Sequence, residues 1–346
     1  MPADERPRPG RTATRRALQP LWSALDDVDE RCAVLARGAV LAVSGGPDSR
    51  ALLEAAARWP RRAGRALVVV AVDHGRRATA AVEADAVVAR ARLLGLTGEV
   101  RVVAPHRGDE ASLRRARHAA LRAVAGDYGL GAVVFAHHRG DVAEGVLLHL
   151  TGLGGGRGGA APPIVAPAVE GVAAVRPFLA LPKATLRAAL DSLAVHDVVV
   201  DEDDDAGRNA RGWLRHAVLH PLGERRSTVE AALARHARHL REDDDALEAL
   251  VPDVAVVDAR LSPALLRRWL RRRIAGFDAD PRTAPAAIEA VLRLAAEGRT
   301  GEVALRGCRA QIRASADGHE VAVVPSPPHD DRTGRAQRSF RGNPGA

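Results

Sequence analysis

Short apolar, β-branched runs alternate with helix-periodic segments through the first half of the chain. Ala39–Val43, Ala66–Val72, Glu99–Ala104 and Ala132–Ala136 read as strands, and Gly171–Val175 as a further short one. Between them, Arg50–Arg58, Ala80–Leu94 and Glu110–Tyr128 place apolar residues at helical spacing. The alternation predicts an α/β domain built on a doubly wound, mostly parallel sheet covered by helices. Ligands in such sheets bind at the carboxyl ends of the strands. Ser44–Ser49, Asp73–Arg77 and His137–Glu144 each follow a predicted strand, so they should converge on one crevice.

The second half reads differently. A helix is expected from Pro182 to about Leu193, and the acidic run Asp201–Asp205 marks a domain boundary. Helices are expected at Leu214–Leu219, Thr228–Leu250, Pro263–Ile274 and Ala284–Ala296. The strand-like pieces Gly301–Leu305, Gln311–Ala314 and Glu320–Val324 suggest a small closing sheet. The expected division is a disordered tail over 1–20, the sheet domain over 21–205, a helical region over 206–275, a small α+β part over 276–324 and a second disordered tail over 325–346.

Composition narrows the function. A length of 346 residues with 47% hydrophobic content supports real cores. No apolar run approaches the ~20 residues that span a bilayer, and Met1–Arg16 has no apolar stretch behind it that would make a signal peptide. Cys32 and Cys308 lie far apart and fit neither a disulfide framework nor a C-x-x-C metal site, so the reducing cytoplasm is the expected compartment and no membrane partner is expected. The net charge of +8 favours a polyanionic partner. The cations are almost all arginine, with Lys183 the one lysine; this bias fits GC-rich coding, and its plain reading is a solvated surface. Four Trp, four Phe and one Tyr are too few for an aromatic base-stacking platform.

The most informative segment is Leu41-Ala-Val-Ser-Gly-Gly-Pro-Asp-Ser49, an apolar strand that ends in a glycine turn and opens a helix. Gly45 and Gly46 let backbone N–H groups approach a polyphosphate with no Cβ in the way, and the helix after Pro47 points its positive end at the same anion. Ser44 and Ser49 offer hydroxyl groups to phosphate oxygens. Asp48 would repel phosphate unless it holds a cation, which suggests Mg²⁺. No G-x-x-x-x-G-K-[ST] sequence occurs, so transfer of a terminal phosphoryl group is not the first expectation.

Three further segments carry candidate chemistry. In Asp73-His74-Gly75-Arg76-Arg77, Gly75 permits a tight turn, and His74 could touch nucleotide or move a proton. Arg114 and Arg117 share a helix face and suit a phosphate or carboxylate, although an exposed basic face explains them equally well. His137, Asp141 and Glu144 could supply a metal or nucleotide shell, and hard carboxylates favour Mg²⁺ over a transition metal. Gly152–Gly159 lacks a Lys-Ser/Thr partner and reads as a loop over the site.

The S-G-G-x-D-S match resembles the pyrophosphate loop of the N-type ATP pyrophosphatases, which split ATP between the α and β phosphates. With the other segments in the same order, the chain resembles the tRNA(Ile)-lysidine synthetase family from about Val43 to Leu222, with a fainter continuation to Val324. Asp73-His74-Gly75 with Arg77 and Glu83 resembles the family's His-Gly-Leu-Arg segment. Glu110-Ala111, Arg114 and Arg117 resemble its Glu-Ala-x-x-Arg-x-x-Arg helix, and Arg176-Pro177-Phe178-Leu179 resembles its Arg-Pro-Leu-Leu. Arg211, Leu214, Arg215 and Leu219 resemble the basic helix of its C-terminal part.

The resemblance implies ATP and Mg²⁺ as cofactors, with tRNA(Ile) bearing a CAU anticodon and free L-lysine as partners and a homodimer as the assembly to consider. It implies that Asp48 faces the metal and that Asp141 and Glu144 contact the metal or the lysine. Ser44, Gly45, Gly46, Pro47, Asp48 and Ser49, with Asp73 and His74, would bind nucleotide, and Asp48, Arg114, Arg117 and Asp141 would act in catalysis. The segment after the fourth strand departs from the family's His-x-x-Asp-Asp-Gln-x-Glu-Thr at Gly140, Val142 and Gly145; Gly152-Leu153-Gly154-Gly155 and Asp201-Glu202-Asp203-Asp204 also depart from its usual motifs. Those departures motivate a rival reading, a paralogue that binds ATP or RNA without completing the chemistry. A second rival is another adenylating enzyme of the superfamily.

Overall fold

A computed structural model describes residues 10–75, 79–103, 110–153, 159–199, 210–277, 285–305 and 307–326. The chain divides into two units between Glu242 and Asp243.

The first unit carries the expected sheet. Strands β1 (Ala39–Ala42), β2 (Leu67–Asp73), β3 (Thr97–Val102), β4 (Ala132–Val134) and β5 (Ala173–Val175) pair in the order β3-β2-β1-β4-β5, every pair parallel. Helix α1 (Arg11–Cys32) precedes β1, and each strand is followed by a helix: α2 (Pro47–Ala57), α3 (Ala80–Leu93), α4 (Glu110–Asp127), α5 (Arg139–Leu150) and α6 (Lys183–Asp191). Alternate strand residues face opposite layers. Ala39, Leu41, Val69 and Ala71 join one core with Leu52, Leu53 and Leu186, while Val40, Val68 and Val70 join another with Leu121, Val124 and Phe135. Burial on both faces explains why these strands read as continuous apolar runs.

The chain order reverses between β1 and β4, which opens a crevice at their carboxyl ends. Ser44–Ser49 leaves β1 there and His137–Asp141 leaves β4 there.

Two sequence expectations change. Helix α1 starts at Arg11, inside the stretch read as a tail, because Leu18, Leu21, Trp22, Leu25 and Val28 form a buried helical stripe. Pro20 is accommodated within it on the exposed side. The helical region expected over 206–275 is not a separate domain. α7 (Ala210–Leu214), a π-helical turn (Arg215–Leu219), α8 (His220–Arg225) and the first part of α9 (Val229–Ala249) belong to the first unit. Leu214 and Leu219 share a core with α5 through Ala143, Leu147 and Leu148, and Ala237 shares one with Val142 and Val146. The acidic run 201–205, Arg76, Arg77 and the stretch 327–346 lie outside the described residues.

The second unit holds an antiparallel sheet in the order β6-β9-β8-β7: β6 (Val256–Asp258), β7 (Gly301–Ala304), β8 (Cys308–Ser315) and β9 (Gly318–Pro325). Helices α10 (Pro263–Ala275) and α11 (Pro285–Ala296) bury Leu266, Trp269, Ile274, Ile288 and Val291 with the inward residues Ala310, Ile312 and Val321. The Trp269 indole N–H donates to the Val254 carbonyl at 3.0 Å.

Candidate active site

The crevice is a cleft of about 1520 Å³ within the first unit. Ser44, Gly46, Asp48, His74, Arg117, His137, Asp141, Glu144 and Lys183 are among its walls.

The turn after β1 is shaped by Gly45. Its φ of +87° is in the left-handed region, and a Cβ there would meet Val199 Cγ2 at 3.0 Å. Val199 N–H in turn donates to the Gly45 carbonyl at 3.0 Å, so a neighbouring segment packs directly against the loop. Gly46 caps α2 without a side-chain bond, and Pro47 opens the helix. The serines brace the turn. Ser44 N–H donates to Ser49 Oγ at 3.1 Å, Ser49 Oγ donates to the Gly46 carbonyl at 2.9 Å, and the two hydroxyl oxygens are 3.3 Å apart.

Asp48 lies in the first turn of α2. Its Oδ2 is 3.5 Å from His138 Nε2 and 3.8 Å from Lys183 Nζ, while Oδ1 is buried with no hydrogen-bond partner. Burial works to raise the Asp48 pKa, but the His138 hydrogen bond and the charges of His138, Lys183 and Arg187 outweigh it and hold the carboxyl below its ordinary value. An ionised carboxylate in the wall of the cleft, with one oxygen lacking a hydrogen-bond partner, fits a divalent cation. Among the described residues there is no group of three or more His, Cys, Asp or Glu that could hold a metal.

His138 is the N-cap of α5. Its Nδ1 accepts the Gly140 N–H at 3.0 Å and its backbone N–H donates to Asp141 Oδ2 at 2.8 Å. The cap leaves Nε2 to carry the proton directed at Asp48. Burial works to lower the His138 pKa, and Asp48 and Asp141 lift it above the usual value. The sequence reading passed over this residue because a doublet of histidines does not show which one caps the helix.

Glu144 lines the cleft and is paired there with two arginines. Its side chain is 3% exposed, and its Oε1 accepts from Arg215 Nε at 2.6 Å and its Oε2 from Arg211 Nη1 at 3.4 Å. Arg211 also reaches Asp141 Oδ1 at 3.7 Å. The described contacts of Glu144 are therefore with two arginines rather than with Asp48.

The remaining residues divide. Arg117 lines the cleft and Arg114 stands exposed on α4. Asp73 is buried and shapes its own turn, accepting the Gly75 N–H at 2.7 Å, and the wall at this point is His74. The side chains of Glu110 and Ala111 lie outside the described set. Phe135 stands between His118 and His137, with ring centroids at 4.9 and 5.7 Å, and Arg176 lies over it at 5.7 Å. Burial first, then nearby arginines, push both histidines down to about 4, so they are neutral near pH 7; for His137, Asp141 opposes the shift.

The PP-loop domain family matches residues 20–222. The tRNA(Ile)-lysidine synthase of Methylobacterium nodulans is 40% identical over 233 residues, 66% of each chain. That of Thermobifida fusca is 38% identical over 244 residues, 69% of each chain, and that of Rhodopseudomonas palustris is 33% identical over 331 residues, 85% of this chain and 92% of its own. The alignments with M. nodulans and a second Methylobacterium protein span 66% and 65% of those relatives, just under two thirds. Among solved structures, the U34-tRNA thiolase NcsA of Methanococcus maripaludis superposes with a TM-score of 0.53 at 14% identity, over 66% of this chain and 79% of that one, a likeness of fold alone. A domain match over more than half the length, with relatives at 33–40% identity, means that the chain belongs to the PP-loop family and, within it, to the tRNA(Ile)-lysidine synthases.

Proposed function

We propose that the cleft binds ATP and a tRNA(Ile) anticodon loop bearing CAU, and joins free L-lysine to the wobble cytidine. The S-G-G-P-D-S turn at the switch point of the parallel sheet carries the reading. In the first step O2 of the cytosine attacks the α-phosphorus, the bond to the bridging oxygen breaks, and pyrophosphate leaves with its electrons. In the second, the lysine ε-amine attacks C2, AMP departs, and the amine proton is released.

The chain's residues bear on these steps through position and charge. The left-handed Gly45 and the start of α2 aim backbone N–H groups and a helix end at the phosphates. Asp48 Oδ1 would hold Mg²⁺, which when bound supplies neutralising charge to the phosphates. Arg117 and His74 also line the cleft and would face substrate or phosphate. Asp141 is a candidate for the lysine ammonium or the cation, and Glu144 holds Arg211 and Arg215 in the lining of the cleft. Arginines of the helices from Arg211 onward suit tRNA phosphates.

The test is one incubation of protein, ATP, Mg²⁺ and labelled lysine with a CAU-bearing tRNA(Ile) transcript, with tRNA(Met) as control. Lysine at the wobble cytidine of the first alone is the expected result. Folded, ATP-binding protein that incorporates none would favour the paralogue reading suggested by Gly140, Val142 and Gly145.

A further inference from the structure

Two charged side chains of α2 are buried behind the phosphate turn. Arg50 and Glu54 are four residues apart and share a face of the helix. Arg50 lies about 200° round that helix from Asp48. The two side chains are 3% and 0% exposed. Charges are seldom buried so completely unless they are paired, and each of these has a partner on another element. Arg50 Nη2 donates to both carboxylate oxygens of Asp197, at 3.1 and 3.0 Å. Glu54 Oε1 accepts from Arg90 Nε of α3 at 2.7 Å, and its Oε2 accepts from Arg58 Nη1 at 2.5 Å. The Glu54 hydrogen bond is the main cause that raises the Arg90 pKa, and the Asp197 charge adds to it, so the two pairs form one network.

Both partners lead back to the turn. Asp197 belongs to residues 195–199, which follow α6 and pack on the sheet core through Val195 and Val198. Two residues on, Val199 N–H donates to the Gly45 carbonyl at 3.0 Å, and Val199 Cγ2 lies 3.0 Å from the place a Gly45 Cβ would take. Arg90 is three residues along α3 from Val87, whose Cγ2 lies 3.5 Å from the same place. Gly45 is therefore bounded by two valines, and an ion pair ties the element of each valine to α2. Since α2 is the helix that the turn opens, the ties close on the turn itself. Arg50, Glu54, Arg90 and Asp197 lie outside the lining of the cleft, whereas Val199 is part of it.

We propose that Arg50 and Glu54 are positioning residues for the nucleotide. Through Asp197 and Arg90 they hold Val199 and Val87 against Gly45, and so keep the turn in the shape that the phosphates meet. This rests on the ATP reading above. Glycine adopts positive and negative φ with similar ease, so a glycine turn holds one shape only when its surroundings enforce it. At Gly45 the enforced φ is +87°. Apolar packing alone has no direction, whereas a charge-assisted hydrogen bond fixes both distance and angle. The two ion pairs thus add to the valine contacts a register between α2, α3 and residues 195–199. Neither Arg50 nor Glu54 touches substrate; they act through the valines.

The test starts from Asp197→Asn, because the Asp197 side chain is 75% exposed and its replacement leaves the core intact. Backbone hydrogen exchange over residues 41–49 of the full chain is followed by mass spectrometry. Binding of ATP, pyrophosphate and AMP is measured by calorimetry well below the melting temperature. The Asn variant should exchange faster over the turn and lose roughly 3- to 10-fold in ATP and pyrophosphate affinity, the size of one partly exposed charged hydrogen bond. AMP, which lacks the β and γ phosphates, should bind as before. Asp197→Glu should recover most of the loss. Arg90→Met, which cuts the other tie, should act in the same direction, and the double variant should lose more than either. A merely structural role would lower the melting temperature and leave the affinities at their wild-type values. An Asp197→Asn variant with wild-type exchange over the turn, or with wild-type ATP affinity, overturns the assignment, while normal ATP binding by the wild type leaves the proposed function standing. A wild type that binds neither ATP nor pyrophosphate overturns both.

Discussion

Replacing Glu144 by glutamine tests how its carboxylate is used. The side chain is 3% exposed and bridges Arg215 at 2.6 Å and Arg211 at 3.4 Å. Glutamine keeps the volume and one acceptor oxygen, so the change removes charge and little else. The Arg215 partner is 17% exposed. Two unit charges about 4 Å apart at an effective dielectric near 20 interact by roughly 4 kcal/mol before desolvation is counted. Removing one partner of a buried pair usually costs about 3–5 kcal/mol, because the other charge is left unpaired. Arg211 is 37% exposed and solvent screens it, so it adds under about 1 kcal/mol. The expected loss for Glu144→Gln is therefore about 3 kcal/mol, read by urea denaturation with an unchanged m-value. Adding Arg215→Met should restore part of it, since the cation that faced the lost charge at 2.6 Å is then gone. A Glu144→Gln variant within about 0.5 kcal/mol of wild type, or a double variant with additive losses, would refute the view that the arginines take up this charge.

Other expectations follow from the same geometry. Asp48→Ala should abolish ATP-dependent pyrophosphate release with the circular dichroism spectrum unchanged; release at the wild-type rate removes Asp48 from the mechanism. Gly45→Ala places a Cβ at φ +87° and 3.0 Å from Val199, and should cost about 2 kcal/mol and raise the KM for ATP, as checked by thermal melts and ATP titration. His118 and His137 have pKa values pushed from 6.5 to about 4, so the unfolded chain takes up protons that the folded one refuses. Their stability contribution is present above pH 6.5 and is lost as pH falls toward 4, on the order of 2 kcal/mol each, and replacing either by Gln should flatten the denaturation midpoint against pH. Affinity for tRNA should fall steeply with salt, and a flat profile would argue against a phosphate-dominated interface.

The amino-acid sequence by itself determined the periodic features and the turn chemistry. The inner parallel strands were legible because a sheet buried on both faces needs unbroken apolar runs such as Val68–Val72, and the S-G-G-P-D-S turn was legible because phosphate chemistry at a strand–helix turn demands glycines at fixed positions. The start of α1 was missed because charged, proline-containing residues hide a stripe of five buried side chains that only a partner layer reveals. Contacts distant in sequence were decided by tertiary structure alone. Asp48 meets His138 and Lys183, and Glu144 meets Arg211 and Arg215, 67 and 71 residues away. Each residue shows its charge in the sequence, but which charge it meets depends on how strands and helices stack. Electrostatic energy falls with distance and rises with burial, and neither quantity exists until the chain has folded.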